Sequence, residues 1–184
     1  MTRIMYDSTN PGSIPLNAQM VAGYVNGPKS QWPASGWDRW TGIPKLRIDV
    51  SGADPFGSDV LDVEQGDASI GGAVEWVKAR QARGWWSACY VSEANLATLQ
   101  LAMGNLDVEY WVASWTGNYN NALAMIKDRV VAVQYVNDPQ YDLSVVNDSW
   151  FPSPPAAAAP APAKTTQAQA LAALSALTAY VNGQ

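Results

Sequence analysis

The sequence predicts an α/β fold: a small, irregular (β/α) TIM-like barrel, followed by a Pro/Ala linker and one terminal helix. Three observations predict it. Eight short apolar runs read as strands. In the second half they alternate with helical patterns across short loops, which argues for a parallel sheet. Acids and aromatics recur at the C-terminal ends of the strands, where a barrel of this kind carries its site. The expected boundaries are 1–151 for the barrel, 152–163 for the linker and 164–184 for the helix.

In order, Ile4-Met5-Tyr6 is the first strand and carries Asp7 at its end, before the turn-rich Ser8-Thr9-Asn10-Pro11-Gly12. Met20 to Val25 is the second, closed by Asn26-Gly27-Pro28. Residues 29–42 form a loop or broken helix holding Trp32, Trp37 and Trp40. These rings serve either as packed anchors or as a saccharide-stacking platform. Leu46 to Val50 is the third strand and 59–64 the fourth. Ile70 to Arg83 lacks Pro and places Ala73, Val74 and Val77 at helical spacing, with Gly84 as the stop. Trp85 and Trp86 read as core ahead of strand five, Ser87 to Val91. Ser92 is a plausible N-cap for a helix that buries Leu96, Leu99 and Met103. Tyr110 to Trp115 is a near-continuous apolar strand of the kind covered on both faces. A short helix over 119–127, a strand from Val130 to Tyr135 and a strand from Tyr141 to Val146 complete the barrel. The first half has room for little helix, so the barrel is expected to be irregular there.

Composition narrows the function classes. With 184 residues, 48% of them hydrophobic and 15% charged, the chain is globular and long enough for a sizeable core. A net charge of −5 without a Lys/Arg run argues against nucleic acid or anionic membrane as a partner. No stretch reaches membrane-spanning length, and the N-terminus carries no secretory h-region. The absence of His excludes a Ser-His-Asp triad, a Cys-His pair and most zinc sites, and no cofactor is implied. Cys89 is the single cysteine and reads as a buried thiol. Nine Trp and eight Tyr against two Phe favour rings with a polar edge, which suit stacking on sugars as well as packing.

Chemistry concentrates in Val60-Leu61-Asp62-Val63-Glu64-Gln65-Gly66-Asp67. On a strand, Asp62 and Glu64 leave on one face and Leu61 and Val63 on the other. Two adjacent carboxylates raise at least one pKa, and an acid catalyst needs a carboxyl still protonated near neutral pH. The alternative is a strand end running into a solvated acidic turn.

The ordered set Tyr6-Asp7-Ser8, Leu61-Asp62-Val63-Glu64, Ala88-Cys89-Tyr90, Tyr110-Trp111-Val112-Ala113, Val133-Gln134-Tyr135 and Tyr141-Asp142-Leu143-Ser144 resembles glycoside hydrolase family 25, the lysozymes and muramidases of bacteria and phages. The resemblance covers about residues 4–150. It implies that Glu64 is the general acid. Asp62 would assist the substrate N-acetyl group or stabilise the oxocarbenium-like transition state, with Asp7 and Asp142 as further cleft acids. It also implies sugar contacts from Tyr90, Trp111 and Gln134, and Trp115 at the end of strand six joins them as an expected substrate contact. The departures are a short first loop, no His, and a third strand ending in Arg47-Ile48-Asp49-Val50. They fit a divergent actinobacterial or actinophage branch. They leave Asp49 either as a fifth cleft acid or as a partner for Arg47.

Two functions follow as expectations. One is a peptidoglycan hydrolase cleaving β-1,4 bonds of the bacterial cell wall. As a phage lysin it would accumulate in the host cytoplasm until a holin releases it, or would be carried by the virion. The other is a catalytically inactive barrel serving as a structural or saccharide-binding virion protein. The terminal helix, with Leu171, Leu174, Leu177 and Tyr180 on a narrow stripe, would then dock, self-associate or attach to an assembly, or else be a frayed tail.

Overall fold

A computed structural model describes residues 1–28 and 30–150; the expected linker and terminal helix lie outside them. Eight strands close into one barrel in chain order: β1 (Thr2–Asp7), β2 (Val21–Tyr24), β3 (Lys45–Asp49), β4 (Val60–Asp62), β5 (Ala88–Ser92), β6 (Glu109–Ala113), β7 (Val130–Asn137) and β8 (Asp142–Asn147). The helices are α1 (Ala34–Trp37), α2 (Ile70–Gln81), α3 (Glu93–Met103) and α4 (Tyr119–Met125). The result is a closed, mixed α/β barrel with its longer helices in the second half.

One strand departs from the parallel expectation. Each neighbouring pair from β1 through β7 is parallel, but β8 is antiparallel to both β7 and β1. The reason is loop length. Only residues 138–141 separate Asn137 from Asp142, and a parallel return needs a crossover of a dozen or more residues. A hairpin is the only short solution. It puts Asp142, the first residue of β8, directly across from Asp7, the last residue of β1.

Strand alternation sorts the side chains. Met5, Met20, Ala22, Leu46, Ile48, Val60, Ala88, Tyr90, Trp111 and Val146 pack with Trp150 in the barrel interior. The opposite parity faces outward: Leu61, Val63, Cys89, Val91, Tyr110 and Val112 pack under Ala73, Trp76 and Val77 of α2 and Leu99 and Met103 of α3. The sealed Cys89 thiol is pushed up to about 12 by burial. Helix α2 starts on the Ser69 hydroxyl, which accepts from Gly72 N at 3.1 Å, and the chain leaves it through Gly84 at φ 68°. Ser92 occupies the N-cap position of α3 without making a side-chain cap bond.

The tryptophans of 29–42 are anchors. Trp32 and Trp40 are buried with Ile14, Ala18 and Val21, with Trp37 packed against them. Their indole N–H groups donate to Ser8 O (2.8 Å) and Pro15 O (3.1 Å). Trp32 lies directly on Gly23, where an added Cβ would meet the ring at 2.4 Å. Trp86 is partly buried against Trp150 of the interior, and Trp85, also partly buried, meets the Phe56 ring. No helix among the described residues is long and apolar enough to cross a membrane.

Candidate active site

The C-terminal ends of the parallel strands carry a cluster of carboxylates. Asp7 ends β1 and is 2% exposed. Asp62 ends β4 and is 6% exposed. Glu64 is half-buried and lies in the bend after β4: the strand expected over 59–64 ends at Asp62, because the chain already turns through Gln65 and Gly66. Asp142 opens β8, also half-buried. The turn after β4, closed by Asp67 N on Glu64 O and Ala68 N on Asp62 O, brings Asp67 back to the group.

These acids act on each other. Burial, then the charge of Asp142, pushes Asp7 up to about 8, against the opposing Gln134 hydrogen bond. Burial, then Asp67, Glu64 and Asp7, pushes Asp62 up to about 8. Glu64 is raised by burial and by Asp67. Asp142 is raised by burial, against a backbone hydrogen bond from Asp138. The ion pairs among the described residues, Arg3–Asp148, Arg47–Asp59, Lys78–Glu75 and Arg129–Asp107, leave all of them out. Asp62 Oδ1 is buried with no hydrogen-bond partner. Such an atom costs free energy unless its carboxyl is neutral or a ligand supplies a donor.

Gln134 is the hub on the β7 side. A bulge between Gln134 and Val136 sets it, leaving Tyr135 as the extra residue opposite β8. Its Nε2 donates to Asp7 Oδ2 (3.1 Å), Asp7 Oδ1 (3.3 Å) and Asp142 Oδ2 (3.3 Å). Its Oε1 accepts from Tyr90 OH and Trp115 Nε1, both at 2.7 Å. Trp115 is 56% exposed and stands at the rim. The other expected sugar contacts are less accessible. Tyr90 is buried beside the acids. Trp111 lies beneath it, 4.9 Å from the Tyr90 ring centre, 1% exposed, its indole donating to Ser144 Oγ at 2.9 Å. Without a change in the barrel, Trp111 supports the floor of the site and presents no face to a ligand.

Asp49 joins neither alternative. Its parity sends it outward from β3, and it accepts from Asn26 Nδ2 (2.7 Å), Ser51 N (2.9 Å) and Oγ (3.0 Å), Gly52 N (2.8 Å), Asp54 N (2.9 Å) and Trp76 Nε1 (3.3 Å). Arg47 pairs with Asp59 instead, through Nε (3.1 Å) and NH2 (3.0 Å). One site residue escaped the sequence reading. Tyr24, at the end of β2, has its hydroxyl held far above its usual pKa by burial and then by Asp7, Asp62, Asp142 and Asp67. Its parity with Met20 and Ala22 was the available signal.

Among the described residues no group of three His, Cys, Asp or Glu is arranged to hold a metal ion. A hollow of about 320 Å³ lies elsewhere, at the opposite pole around Gln100, Asn105, Tyr110 and Arg129, and none of the acids lines it. Comparison with family models, curated proteins and solved structures gives no match to this chain.

Proposed function

We propose that the chain is a glycoside hydrolase of lysozyme type, cleaving the β-1,4 bonds of bacterial peptidoglycan as a phage lysin. The observation that carries this reading is a buried, unpartnered carboxylate oxygen, Asp62 Oδ1, inside a group of acids that form no ion pair among the described residues. Glycosidic cleavage uses that combination: one carboxyl still protonated at the leaving oxygen, and a second group facing the anomeric carbon. Glu64, raised and half-buried, donates its proton to the glycosidic oxygen as the C–O bond breaks. Asp62 Oδ1 accepts the N–H of the sugar acetamide, whose oxygen closes on the anomeric carbon. Water then adds, and the Glu64 carboxylate takes up its proton. Asp7 and Asp142, held by Gln134, keep the floor acidic. The resemblance to family 25 supports the same assignment of roles. We also infer that the barrel is TIM-like, with its last strand reversed.

A saccharide-binding barrel without turnover is the second reading. It is favoured by the near-complete burial of Asp7, whose oxygens already receive Gln134. The deciding experiment is zymography on peptidoglycan, with mass spectrometry of the released sugars. Fragments ending in reducing N-acetylmuramic acid support the hydrolase. Binding to actinobacterial walls without cleavage supports the binding module.

A further inference from the structure

We propose that Trp115 is a positioning residue: its indole N–H locks the Gln134 amide with the NH2 group toward Asp7 and Asp142. This makes the exposed rim tryptophan part of the acid machinery and not only a wall for a sugar. The purpose of the device rests on the hydrolase reading; the lock itself does not.

Gln134 is 2% exposed, so its amide must find its partners inside the protein. It has two possible orientations, and the neighbours decide between them. The Tyr90 hydroxyl can donate or accept, so it tolerates both. Asp7 can also tolerate both while protonated, because a neutral carboxyl both donates and accepts. An indole N–H only donates. Trp115 Nε1, 2.7 Å from Gln134 Oε1, is therefore the one neighbour that forbids the flipped amide whatever the protonation of the acids. With Oε1 fixed, Nε2 has to face Asp7 and Asp142, as it does at 3.1 to 3.3 Å. A donor aimed at a carboxylate favours its ionised form, and the Gln134 bond is a lowering influence on Asp7. Without the lock, the flipped amide would present its oxygen to two acids and hold both protonated to higher pH. The same network removes Gln134 from the sugar contacts that the resemblance implies, since both its polar atoms are engaged.

The test is Trp115→Phe, which keeps a ring at the rim and removes the N–H. The titrations of Asp7 and Asp142 are followed by carboxyl ¹³C NMR on the full chain. The expected result is an upward shift of both midpoints by about one pH unit. Gln134→Leu, which removes the donor altogether, should shift them at least as far. Wall lysis should show its pH profile displaced in the same direction. Titrations of Trp115→Phe that superimpose on wild type would overturn the proposal, as would a shift in Gln134→Leu alone. If Trp115→Phe fails to fold, Trp115→Leu decides: it also removes the N–H and must raise both acids for the proposal to stand. Gln134→Glu is set aside, because its added charge raises both acids by itself. A wild-type protein without lytic activity would overturn the hydrolase reading, and the NMR titrations would still decide this one.

Discussion

Asp49 and Asp62 end adjacent strands, and Asp49 pairs in register with Leu61, one residue short of Asp62. Both are buried. Burial alone would raise both. Asp49 nevertheless lies below the usual carboxylate range, because hydrogen bonds from Asn26, Asp54 N and Ser51 outweigh desolvation. Asp62 has an oxygen with no partner and three acidic neighbours, and it lies far above that range. The difference is which face of the strand each residue leaves from. Outward, Asp49 meets the donors of a loop and α2; inward, Asp62 meets other acids. Burial alone therefore does not separate the two acids; the donors or charges that each one meets do.

Glu64→Gln tests the acid side of that contrast and should have the largest effect. Wall lysis is expected to fall by about 100- to 10,000-fold with an almost unchanged melting temperature, measured by turbidity loss and calorimetry. Asp49→Ala tests the other side. It strands several buried donors at once and should cost about 3 kcal/mol in urea unfolding while the barrel is still intact. A cost under about 1 kcal/mol would mean that the loop after β3 does not need its carboxylate.

The two acids should also pull stability in opposite directions with pH. Asp7 and Asp62 have folded values near 8 against ordinary values of 3.8. Between those limits the folded state binds more protons than the unfolded chain, so their contribution is full below about pH 4 and lost as pH rises through about 8. The lowered Asp49 does the reverse: its contribution is present above its unfolded value and lost as pH falls through its folded one. Denaturant midpoints taken from pH 4 to pH 9 should fall, and the slope should flatten in Asp7→Asn/Asp62→Asn. Asp62→Asn alone removes one of these two acids and should raise the denaturant midpoint at pH 7, by less than the double variant does. A large loss would show that Asp62 holds the fold together.

Much of the barrel was legible along the chain. All eight strands and the helices α2, α3 and α4 lie where the apolar runs and their period put them, because period and length are local properties. The reversal of β8 was also within reach, since a connection of 138–141 admits only a hairpin. Trp32 and Trp40 were not: whether an aromatic loop packs or projects depends on what surface lies beneath it, and that surface is Gly23 and its neighbours on another strand.

By itself, the sequence determined that Asp62 ends a strand with Glu64 close behind it, that Asp7 and Asp142 sit at strand ends, and that no histidine chemistry is open to this chain. Tertiary structure decided the rest. It turned Asp49 out and Tyr24 in, sealed Trp111 beneath Tyr90, and spent Gln134 on two acids and a rim tryptophan. The physical reason is that strand alternation fixes relative faces, while only closure of the barrel says which face is inside and which distant charges must share it.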